Sequence, residues 1–418
     1  MKNCFSPAEI LLPDFSRESG EKWAVIACDQ FTSERKYWED AADTVGEAHS
    51  ALSLVLPEVY LGETDVRLPR IHAAMEEAKE YLVTHENAVI YLERTQSDGR
   101  VRRGIVGKID LECYDYKKGA ASEIRATEGT VLERIPPRVA IRRGASLELP
   151  HVMLLIDDNE KSVIEPLTKK KNGKTPLYDF ELMLGGGHVT AYLLTDGEKK
   201  EIDAALSSLC TEEKMQSRYG EALPPLLFAV GDGNHSLASA KAFYEEIKKE
   251  LGVEAARSHP ARYALVEVVN LHDDALSFEP IYRVVFGASK ESLLSELSRY
   301  GDTLKGSEAP QKMTVVTADG DEEFTFKRPA LQLTVGTLQK FLDGYTACNG
   351  GVTVDYIHGE DSVRDIVKNE NAIGFLFEGM QKDELFKTVI FDGALPRKTF
   401  SMGHARDKRY YIEARKIK

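Results

Sequence analysis

Six consecutive residues, Gly231 to Ser236 (GDGNHS), combine residue types that can bind an anion and move a proton. An apolar run at 226–230 precedes them, and apolar residues at helical spacing continue from Leu237 to Leu251. This pattern predicts a buried strand, a glycine-rich turn and a helix. In such a layout, the backbone N–H groups at the start of the helix point towards a bound anion.

The side chains of this turn suggest two kinds of chemistry. Asp232 could hold a metal ion such as Mg²⁺, and His235 could transfer a proton. Gly231 and Gly233 would let the backbone approach a ligand closely. The same residues also fit an ordinary strand-to-helix turn, in which Asp-Gly forms the turn and an Asn or Ser caps the helix.

A second stretch with reactive side chains runs from Ile124 to Thr130. Glu128 could act as a general base, and the guanidinium of Arg125 could pair with a phosphate or a carboxylate. Thr130 adds a hydroxyl group. Taken alone, these residues favour a capping box, in which a threonine caps a helix and Glu133 reaches back to it.

The two prolines at 136–137 predict the start of a helix, on which Arg138 and Arg142 would stand one turn apart on one face. Two guanidinium groups that point in one direction could clamp an anion. In isolation, the same pair is more typical of a solvated helix face.

Three further candidates have weaker patterns. His188 follows three glycines, which are more typical of a flexible turn and a structural imidazole than of a phosphate loop. Lys398 and His404 belong to a basic C-terminal segment, 395–418. That segment could cover an anionic ligand, or it could be a solvated end of the chain.

Composition limits the class of protein. With 418 residues, the chain is long enough for two or three domains, and its formal net charge of -14 disfavours a nucleic-acid partner. The five cysteines show neither metal-ligand nor redox-motif spacing, so we expect reduced thiols. Because we find no signal-peptide pattern and no run of membrane-spanning length, we expect a cytoplasmic protein without a membrane partner.

Strands and helices are predicted in an order that does not alternate strictly, which indicates an α+β fold with a mixed sheet. Alternating apolar residues predict strands at 88–94 and 101–111, and apolar segments predict strands at 22–28, 152–156, 178–184 and 189–194. Ser97 to Arg100 has the composition of a hairpin turn, and helices are predicted at 34–43, 65–84, 198–210 and 289–300. A loop at 306–311 predicts a boundary between a core, 1–305, and a smaller C-terminal α+β region with a basic tail, 306–418.

Three segments carry a resemblance to known proteins: AVGDGNHS at 229–236, IRATEGTVLERIPPRV at 124–139, and LPRKTFSMGHARDKRYY at 395–411. They resemble a family of bacterial proteins that share a domain of unknown function, over nearly the whole chain. More remotely, the turn is similar to the Asp-Gly-x-His-Arg turn of the ParB/sulfiredoxin-like superfamily. That superfamily includes an ADP-dependent free-serine kinase, so the resemblance implies a ParB/sulfiredoxin-like core.

The resemblance also implies roles for individual residues. Asp232, Gly233 and His235 would form a phosphate-binding turn, together with Gly231, Asn234 and Ser236. Glu128 would be the base that accepts a proton from a hydroxyl group, with Arg125 near the substrate. Two departures stand out: the usual arginine after the histidine is Ser236 here, and the turn holds no cysteine for sulfiredoxin-type chemistry.

The implied activity is that of a small-molecule kinase, which uses ADP or ATP with Mg²⁺ and a free amino acid or another hydroxyl compound as acceptor. One alternative is a regulatory protein that binds a nucleotide or another phosphorylated small molecule without transforming it. Another is a metal-assisted hydrolase, built from Asp232, His235 and one of His188, His358 or His404. The sequence does not indicate an oligomeric state.

Overall fold

The computed structural model describes residues 4–220, 223–370 and 372–418. The chain forms two units, and each is described here by itself. Unit 1 comprises the described residues of Met1–Ala126, Thr130–Leu276 and His404–Lys418, and unit 2 comprises Thr127–Gly129 and Ser277–Gly403. The boundary predicted at 305/306 lies within unit 2, between a helix and a strand, and stays a prediction.

Within the described residues, the strands are short or medium in length. They are β1 (Phe5–Ser6), β2 (Ala8–Leu12), β3 (Val25–Ile26), β4 (Val83–Ala88), β5 (Ile90–Thr95), β6 (Val101–Asp110), β7 (Tyr114–Asp115), β8 (Ile124–Ala126), β9 (Leu147–Glu148), β10 (Met153–Ile156), β11 (Tyr178–Leu182), β12 (Gly187–Leu193), β13 (Phe228–Asp232), β14 (Tyr263–Asn270), β15 (Phe278–Phe286), β16 (Gln311–Thr317), β17 (Gly320–Phe326), β18 (Thr353–His358), β19 (Ile373–Phe377), β20 (Phe400–Met402), β21 (Tyr410–Tyr411) and β22 (Arg415–Lys416).

The α-helices of the same residues range from single turns to five turns. They are α1 (Gly20–Trp23), α2 (Arg35–Val45), α3 (Thr64–Tyr81), α4 (Ile135–Gly144), α5 (Leu167–Lys170), α6 (Asp196–Leu209), α7 (Glu212–Tyr219), α8 (Asn234–Leu251), α9 (Val253–Ala256), α10 (Lys290–Thr303), α11 (Thr334–Cys348), α12 (Glu360–Glu370) and α13 (Lys382–Phe391). No helix in the described residues combines the length and apolarity needed to cross a bilayer.

Unit 1 is built on a ten-stranded mixed sheet in the order β11-β12-β5-β6-β14-β10-β13-β8-β7, with β1 paired to β6. Strand β13 runs antiparallel to β10 and parallel to β8. Successive residues of β5 alternate between two apolar cores: Ile90 and Leu92 belong to one, and Tyr91 to the other. This alternation is the geometry of a strand whose two faces are both covered.

The predicted hairpin is confirmed, with β5 and β6 in antiparallel register on either side of its turn. Two predicted elements are present with shorter bounds. The helix predicted at 65–84 ends at Tyr81, because β4 follows it and pairs with β2. The strand predicted at 22–28 shortens to β3, because Gly20–Trp23 forms a helical turn that Ser19 caps.

The position of the long helix α8 is fixed by its packing against α4. Ile135 and Val139 of α4 join Ala238 and Phe243 of α8 in a small apolar cluster. Helix α4 begins at the predicted proline pair, whose fixed φ suits a first helical turn. The predicted capping box is absent among the described residues: the short 3₁₀ helix before α4 has no side-chain cap.

The basic C-terminal segment is not a solvated end. Arg409 is 3% exposed, and its guanidinium pairs with Glu267 and Glu413. Arg415 is 5% exposed and pairs with Glu148. These pairs hold β21 against β3 and β22 against β9, because a charge is buried at acceptable cost only beside a partner.

The expectation of reduced cysteines is wrong for one pair, since Cys4 and Cys113 are joined as a disulfide. The sequence could not show this pairing, because 109 positions separate the two cysteines. Cys28, Cys210 and Cys348 are free thiols.

Unit 2 carries a six-stranded sheet in the order β17-β16-β19-β15-β18, with β20 paired to β15. Helix α12 contributes Val363 and Val367 to a core that also holds Val284 of β15 and Val316 of β16. The predicted α+β class with a mixed sheet is therefore confirmed. The ParB/sulfiredoxin-like assignment of the core stays a prediction.

We expect Arg409→Met to lower the free energy of unfolding of unit 1 by about 3–5 kcal/mol, because Glu413 would stay buried without a cation. The measurement is urea unfolding followed by tryptophan fluorescence, since both tryptophans, Trp23 and Trp38, lie in unit 1. The matched control is Lys416→Met, which removes a charge on a side chain that is 44% exposed and should cost less than about 0.5 kcal/mol. Equal unfolding curves for the two variants would contradict the expectation.

Candidate functional site

The predicted strand, turn and helix are confirmed at Gly231 to Ser236. Strand β13 ends at Asp232, Gly233 takes a left-handed conformation with φ +81°, and α8 begins at Asn234. A Cβ atom on Gly233 would lie 3.1 Å from the Cα of Val152, so glycine is required for both conformation and space. A Cβ on Gly231 would lie 2.8 Å from the Leu155 side chain, so that glycine serves sheet packing.

The start of α8 presents backbone donors. The first backbone hydrogen bond of the helix runs from the N–H of Leu237 to the carbonyl of Gly233 at 2.9 Å. At a helix start, the N–H groups of the first turn are not used by the hydrogen bonds of the helix itself. Because α8 is 18 residues long, its dipole adds a partial positive charge at this end.

Asp232 connects the turn to the C-terminal segment. Its Oδ1 accepts a hydrogen bond from the N–H of Gly233 at 3.0 Å, and its Oδ2 lies 3.3 Å from the ammonium of Lys408. Both side chains are less than a fifth exposed. The ion pair therefore sits in a partly desolvated place, where charges interact more strongly than in water.

A buried histidine that the sequence did not single out lies beside the turn. The Nδ1 of His151 is 2.8 Å from the hydroxyl of Tyr411, and its Nε2 lies 3.4 Å from both Asp29 Oδ2 and Ser236 Oγ. Burial alone would lower the pKa of His151, but the charge and hydrogen bond of Asp29 outweigh burial and raise it. Burial likewise works against ionised Asp29, and the neighbouring His151 nonetheless brings the pKa of Asp29 below its usual range. Both shifts favour the ion-paired form of His151 and Asp29.

The free thiol of Cys28 is part of the same network without being reactive. The hydroxyl of Tyr411 donates to Cys28 Sγ at 3.0 Å. Burial, followed by the charge of Asp29, raises the pKa of the thiol to about 12. A thiol that stays protonated is a poor nucleophile.

The pKa of His235 is shifted in the opposite direction from the pKa of His151. Its Nε2 accepts a hydrogen bond from the backbone N–H of Val131 at 3.3 Å. Burial, with the charges of Arg138 and Arg134, lowers the pKa of His235. At neutral pH His235 is therefore a neutral acceptor, and positive charge at the turn comes from Lys408 and His151.

The two arginines of α4 are neither solvated nor free to clamp an anion by themselves. Arg138 forms an ion pair with Glu58, and Arg142 forms one with Glu148. Among the described residues, however, the Nε of Arg142 is buried without a hydrogen-bond partner. Arg142 therefore keeps one donor that its ion pair does not use.

Arg125 and Thr130 lie on the segments that support the turn. The guanidinium of Arg125 donates to the carbonyls of Ser122, Pro224 and Pro225 at 2.8–3.2 Å, so it fixes the loop before β13. The hydroxyl of Thr130 is buried and has no hydrogen-bond partner within the part of the chain that the structure describes. Arg125 is thus committed to the backbone, whereas Thr130 has an unused polar atom.

Glu128 belongs to unit 2, where its backbone bridges Leu395 in parallel. Two residues further on, the carbonyls of Arg397 and Lys398 each accept a hydrogen bond from the buried guanidinium of Arg283 at 3.1 Å. Burial lowers the pKa of Arg283 to about 10, and the charge of Glu128 is among those that act in the opposite direction. Glu128 therefore lies in the electrostatic field of a fully buried arginine.

Lys398 joins the same cluster in unit 2 through an aromatic ring. Its ammonium lies 5.1 Å from the ring centre of Tyr356, and the guanidinium carbons of Arg397 and Arg283 lie 5.4 and 4.6 Å from it. Three cations around one ring leave this part of unit 2 positively charged. Such a cluster can attract an anionic ligand.

The two remaining candidates show no such surroundings. His188 lies on the hairpin β11–β12 and contacts the carboxylates of Asp179 and Glu181 at 2.6 and 2.9 Å. Burial would lower the pKa of His188, but these two hydrogen bonds raise it, as in a structural imidazole. His404 is exposed at the start of a single 3₁₀ turn and forms no capping bond.

Four residues of this site were not among the candidates from the sequence: Asp29, His151, Lys408 and Tyr411. Lys408 and Tyr411 did carry a signal, because both lie in the segment 395–411 that the family resemblance rests on. Asp29 directly follows a predicted strand, which is a position where polar side chains often serve a site. His151 follows Pro150 and had no local signal.

The described geometry defines a mixed α+β protein in which a helix start lies beside two carboxylates, Asp29 and Asp232, and their basic partners, His151 and Lys408. By its sequence, the chain belongs to the family described as a protein of unknown function, DUF1015, whose model matches residues 14–345. A search of curated proteins finds no match.

Solved structures show weak similarity. A free serine kinase in complex with AMP is 12% identical, with a TM-score of 0.37, over 73% of this chain and 90% of the kinase chain. A mutant of free serine kinase in complex with ADP is 13% identical, with a TM-score of 0.38, over 75% and 92% of the two chains. C-terminally truncated SbnI from Staphylococcus aureus is 12% identical, with a TM-score of 0.33, over 71% and 82%. These similarities do not assign an activity to this chain.

We expect Asp29→Asn to lower the pKa of His151, because the substitution removes the carboxylate that favours the imidazolium. The pKa can be measured by NMR titration of the histidine ring protons, with His151→Gln used to assign the signal. The signal of His188, which has its own two carboxylates, serves as an internal control and should not move. If the pKa of His151 were the same in Asp29→Asn as in wild type, Asp29 would not stabilise the protonated form of His151.

The same pair makes stability depend on pH with a defined sign. A raised folded pKa means that folded His151 binds its proton more tightly, so this stabilisation is complete below 6.5 and is lost as the pH rises through the folded value. For Asp29, stabilisation is present above 3.8 and is lost as the pH falls through the lowered folded value. The free energy of unfolding of wild type should therefore exceed that of Asp29→Asn most between pH 3.8 and pH 6.5. The difference should become smaller as the pH rises above this range.

Proposed function

We propose that this protein is a nucleotide-dependent phosphotransferase that moves a phosphoryl group from ADP or ATP to a hydroxyl group of a small molecule. The observation that supports the proposal is the turn at Gly233. There a positive φ starts α8 directly after Asp232, so that backbone donors, a carboxylate and the ammonium of Lys408 meet within one helical turn.

The turn has the groups that phosphates require. Phosphate oxygens accept hydrogen bonds from the N–H groups at a helix start, and the helix dipole favours their negative charge. Lys408 and His151 lie beside these donors, each paired with a carboxylate, and the pKa of His151 is raised by Asp29. In this proposal, Lys408 takes the place of the arginine that Ser236 replaces in the resemblance to the ParB/sulfiredoxin-like superfamily.

The carboxylates fit a magnesium ion as the companion of the nucleotide. Mg²⁺ prefers carboxylate and phosphate oxygens, and Asp232 supplies one carboxylate at the turn. Asp29 supplies a second, because Lys408 acts on the pKa of Asp29 and also contacts Asp232. When bound, the ion would neutralise charge on the phosphates during transfer.

Glu128 takes the role of general base in this proposal. The acceptor oxygen forms a bond to the terminal phosphorus as the bond from phosphorus to the bridging oxygen breaks. The hydroxyl proton passes to Glu128, and AMP or ADP leaves with the bridging oxygen. In chemistry of this kind the protein mainly positions groups and stabilises charge.

A regulatory protein that binds a phosphorylated small molecule without transforming it is the second candidate. The ion pairs that already engage Arg138 and Arg142 favour it, because they leave fewer free cations for a transition state. The hydrolase alternative gains no support. Of the histidines that it would need, His188 contacts Asp179 and Glu181, and His404 is exposed.

We expect Gly233→Ala to abolish the stabilisation of the protein by nucleotides. The substitution adds a Cβ where only 3.1 Å is available and strains a left-handed residue, so the N–H groups of α8 would move. The measurement is a thermal-shift titration with ADP and ATP in the presence of magnesium. A ligand at a hundred times its dissociation constant stabilises the folded state by about 2.7 kcal/mol, which is readily detected.

The matched control is Gly220→Ala, at a left-handed glycine of φ +78° where the added Cβ has open space. It should cost about 1–2 kcal/mol of stability and leave the nucleotide-induced shift intact. If wild type shows no shift with either nucleotide, both nucleotide candidates are wrong.

We expect Glu128→Gln to retain the affinity for nucleotide and to lose phosphoryl transfer by at least about a hundredfold, because an amide cannot accept the proton. Transfer from γ-labelled ATP or β-labelled ADP to a pool of hydroxyl compounds, including free amino acids, provides the measurement. Glu133→Gln, an exposed carboxylate five residues away, is the control that should keep full activity. Full activity of Glu128→Gln would rule out its assignment as the base.

A further inference from the structure

Unit 1 contains a cavity of about 170 Å³ beside the turn, and the proposed phosphate chemistry does not use it. His151 and Ser236 line the cavity where it meets the turn, and Arg138 and Arg142 of α4 line it as well. The cavity thus begins at side chains of the candidate site and continues away from them.

Most of the lining is apolar and comes from separate segments of the chain. The apolar residues that line it include Leu54, Leu56, Ile71, Met75, Ile141 and Ala240. An apolar cavity of ~150 Å³ in another protein is large enough to bind benzene. The volume here therefore suits a phenyl ring or a branched aliphatic group rather than a nucleotide.

The charged part of the lining indicates what that apolar group is attached to. Arg142 and Arg415 both pair with Glu148, so two guanidinium groups share one buried carboxylate and one positive charge is in excess. The Nε–H of Arg142 is buried and, in the described part of the chain, has no acceptor. A buried donor without a partner is costly, and an anionic acceptor on a ligand would remove that cost.

We propose that this cavity binds the acceptor substrate, and that the acceptor is a small hydroxy carboxylic acid with an aromatic or branched aliphatic body. The apolar body fills the cavity, and the carboxylate accepts a hydrogen bond from the Nε of Arg142. The assignment of the acid as an acceptor rests on the proposed phosphotransferase function. The proposal that the acid binds in the cavity does not rest on that function.

Two probes separate these two statements. 3-Phenyllactate carries the phenyl ring, the carboxylate and a hydroxyl group, whereas 3-phenylpropanoate lacks only the hydroxyl group. Both should bind wild-type protein in calorimetric titrations and raise its melting temperature. The methyl ester of 3-phenyllactate, which lacks the charge, and lactate, which lacks the ring, should bind at least about tenfold more weakly.

Substitutions at Arg142 and Arg143 test whether the acids bind in this cavity. Arg142→Met removes the donor and keeps a shorter, unbranched apolar side chain, so the dissociation constant for 3-phenylpropanoate should rise by about tenfold to a hundredfold. Arg143→Met is the matched control, because the neighbouring Arg143 is 58% exposed and pairs with Glu246. It should leave the dissociation constant within about twofold of wild type.

A second variant keeps the proposal testable if Arg142→Met does not fold. Ala240→Leu fills the cavity from α8, and it should abolish binding of both acids while the tryptophan fluorescence of unit 1 stays native. If neither acid binds wild type, or if Arg142→Met and Ala240→Leu both bind as wild type does, the proposal is overturned. If both acids bind but 3-phenyllactate accepts no phosphate, the cavity assignment stands and the phosphotransferase proposal fails.

Discussion

The buried ion pairs of the C-terminal segment are the constraint on which the candidate site of unit 1 depends. Arg409 lies between Glu267 and Glu413, and a buried guanidinium of this kind tolerates little displacement from its carboxylates. Because these pairs fix the segment, the residues on either side of Arg409 have fixed positions too. Lys408 reaches Asp232, and Tyr411 reaches His151.

Local patterns predicted the parts of the fold that local physics decides. The hairpin β5–β6 and the passage from β13 into α8 both follow from turn residues and apolar spacing within one short window. The order of the strands could not be predicted in this way, since β13 pairs with β10 and β8, which lie 72 or more residues earlier. The short strands β3 and β22 exist only through their distant partners, β21 and β9.

In the candidate site, too, the sequence reveals the type of each residue but not its contact partners. Asp232 and Gly233 were recognised because their types and spacing suffice to predict a strand, a turn and a helix. Arg125 had the right type for an anion, but it is bound to backbone carbonyls, and no sequence pattern reveals that contact. Asp29 and His151 were missed because each becomes significant only when folding brings it to the other.

The charges around the turn also bear on what the site can accept. Asp232 is paired with Lys408, and Asp29 with His151, whose pKa is raised, so both carboxylates already have a basic partner. A nucleotide phosphate would add negative charge in a place of reduced solvation, and Lys408 cannot serve both it and Asp232 fully. A divalent cation between the carboxylates and the phosphates would restore the balance. The electrostatics of the turn thus link the proposed nucleotide to magnesium. The nucleotide without magnesium should be a poorer ligand than the magnesium–nucleotide complex.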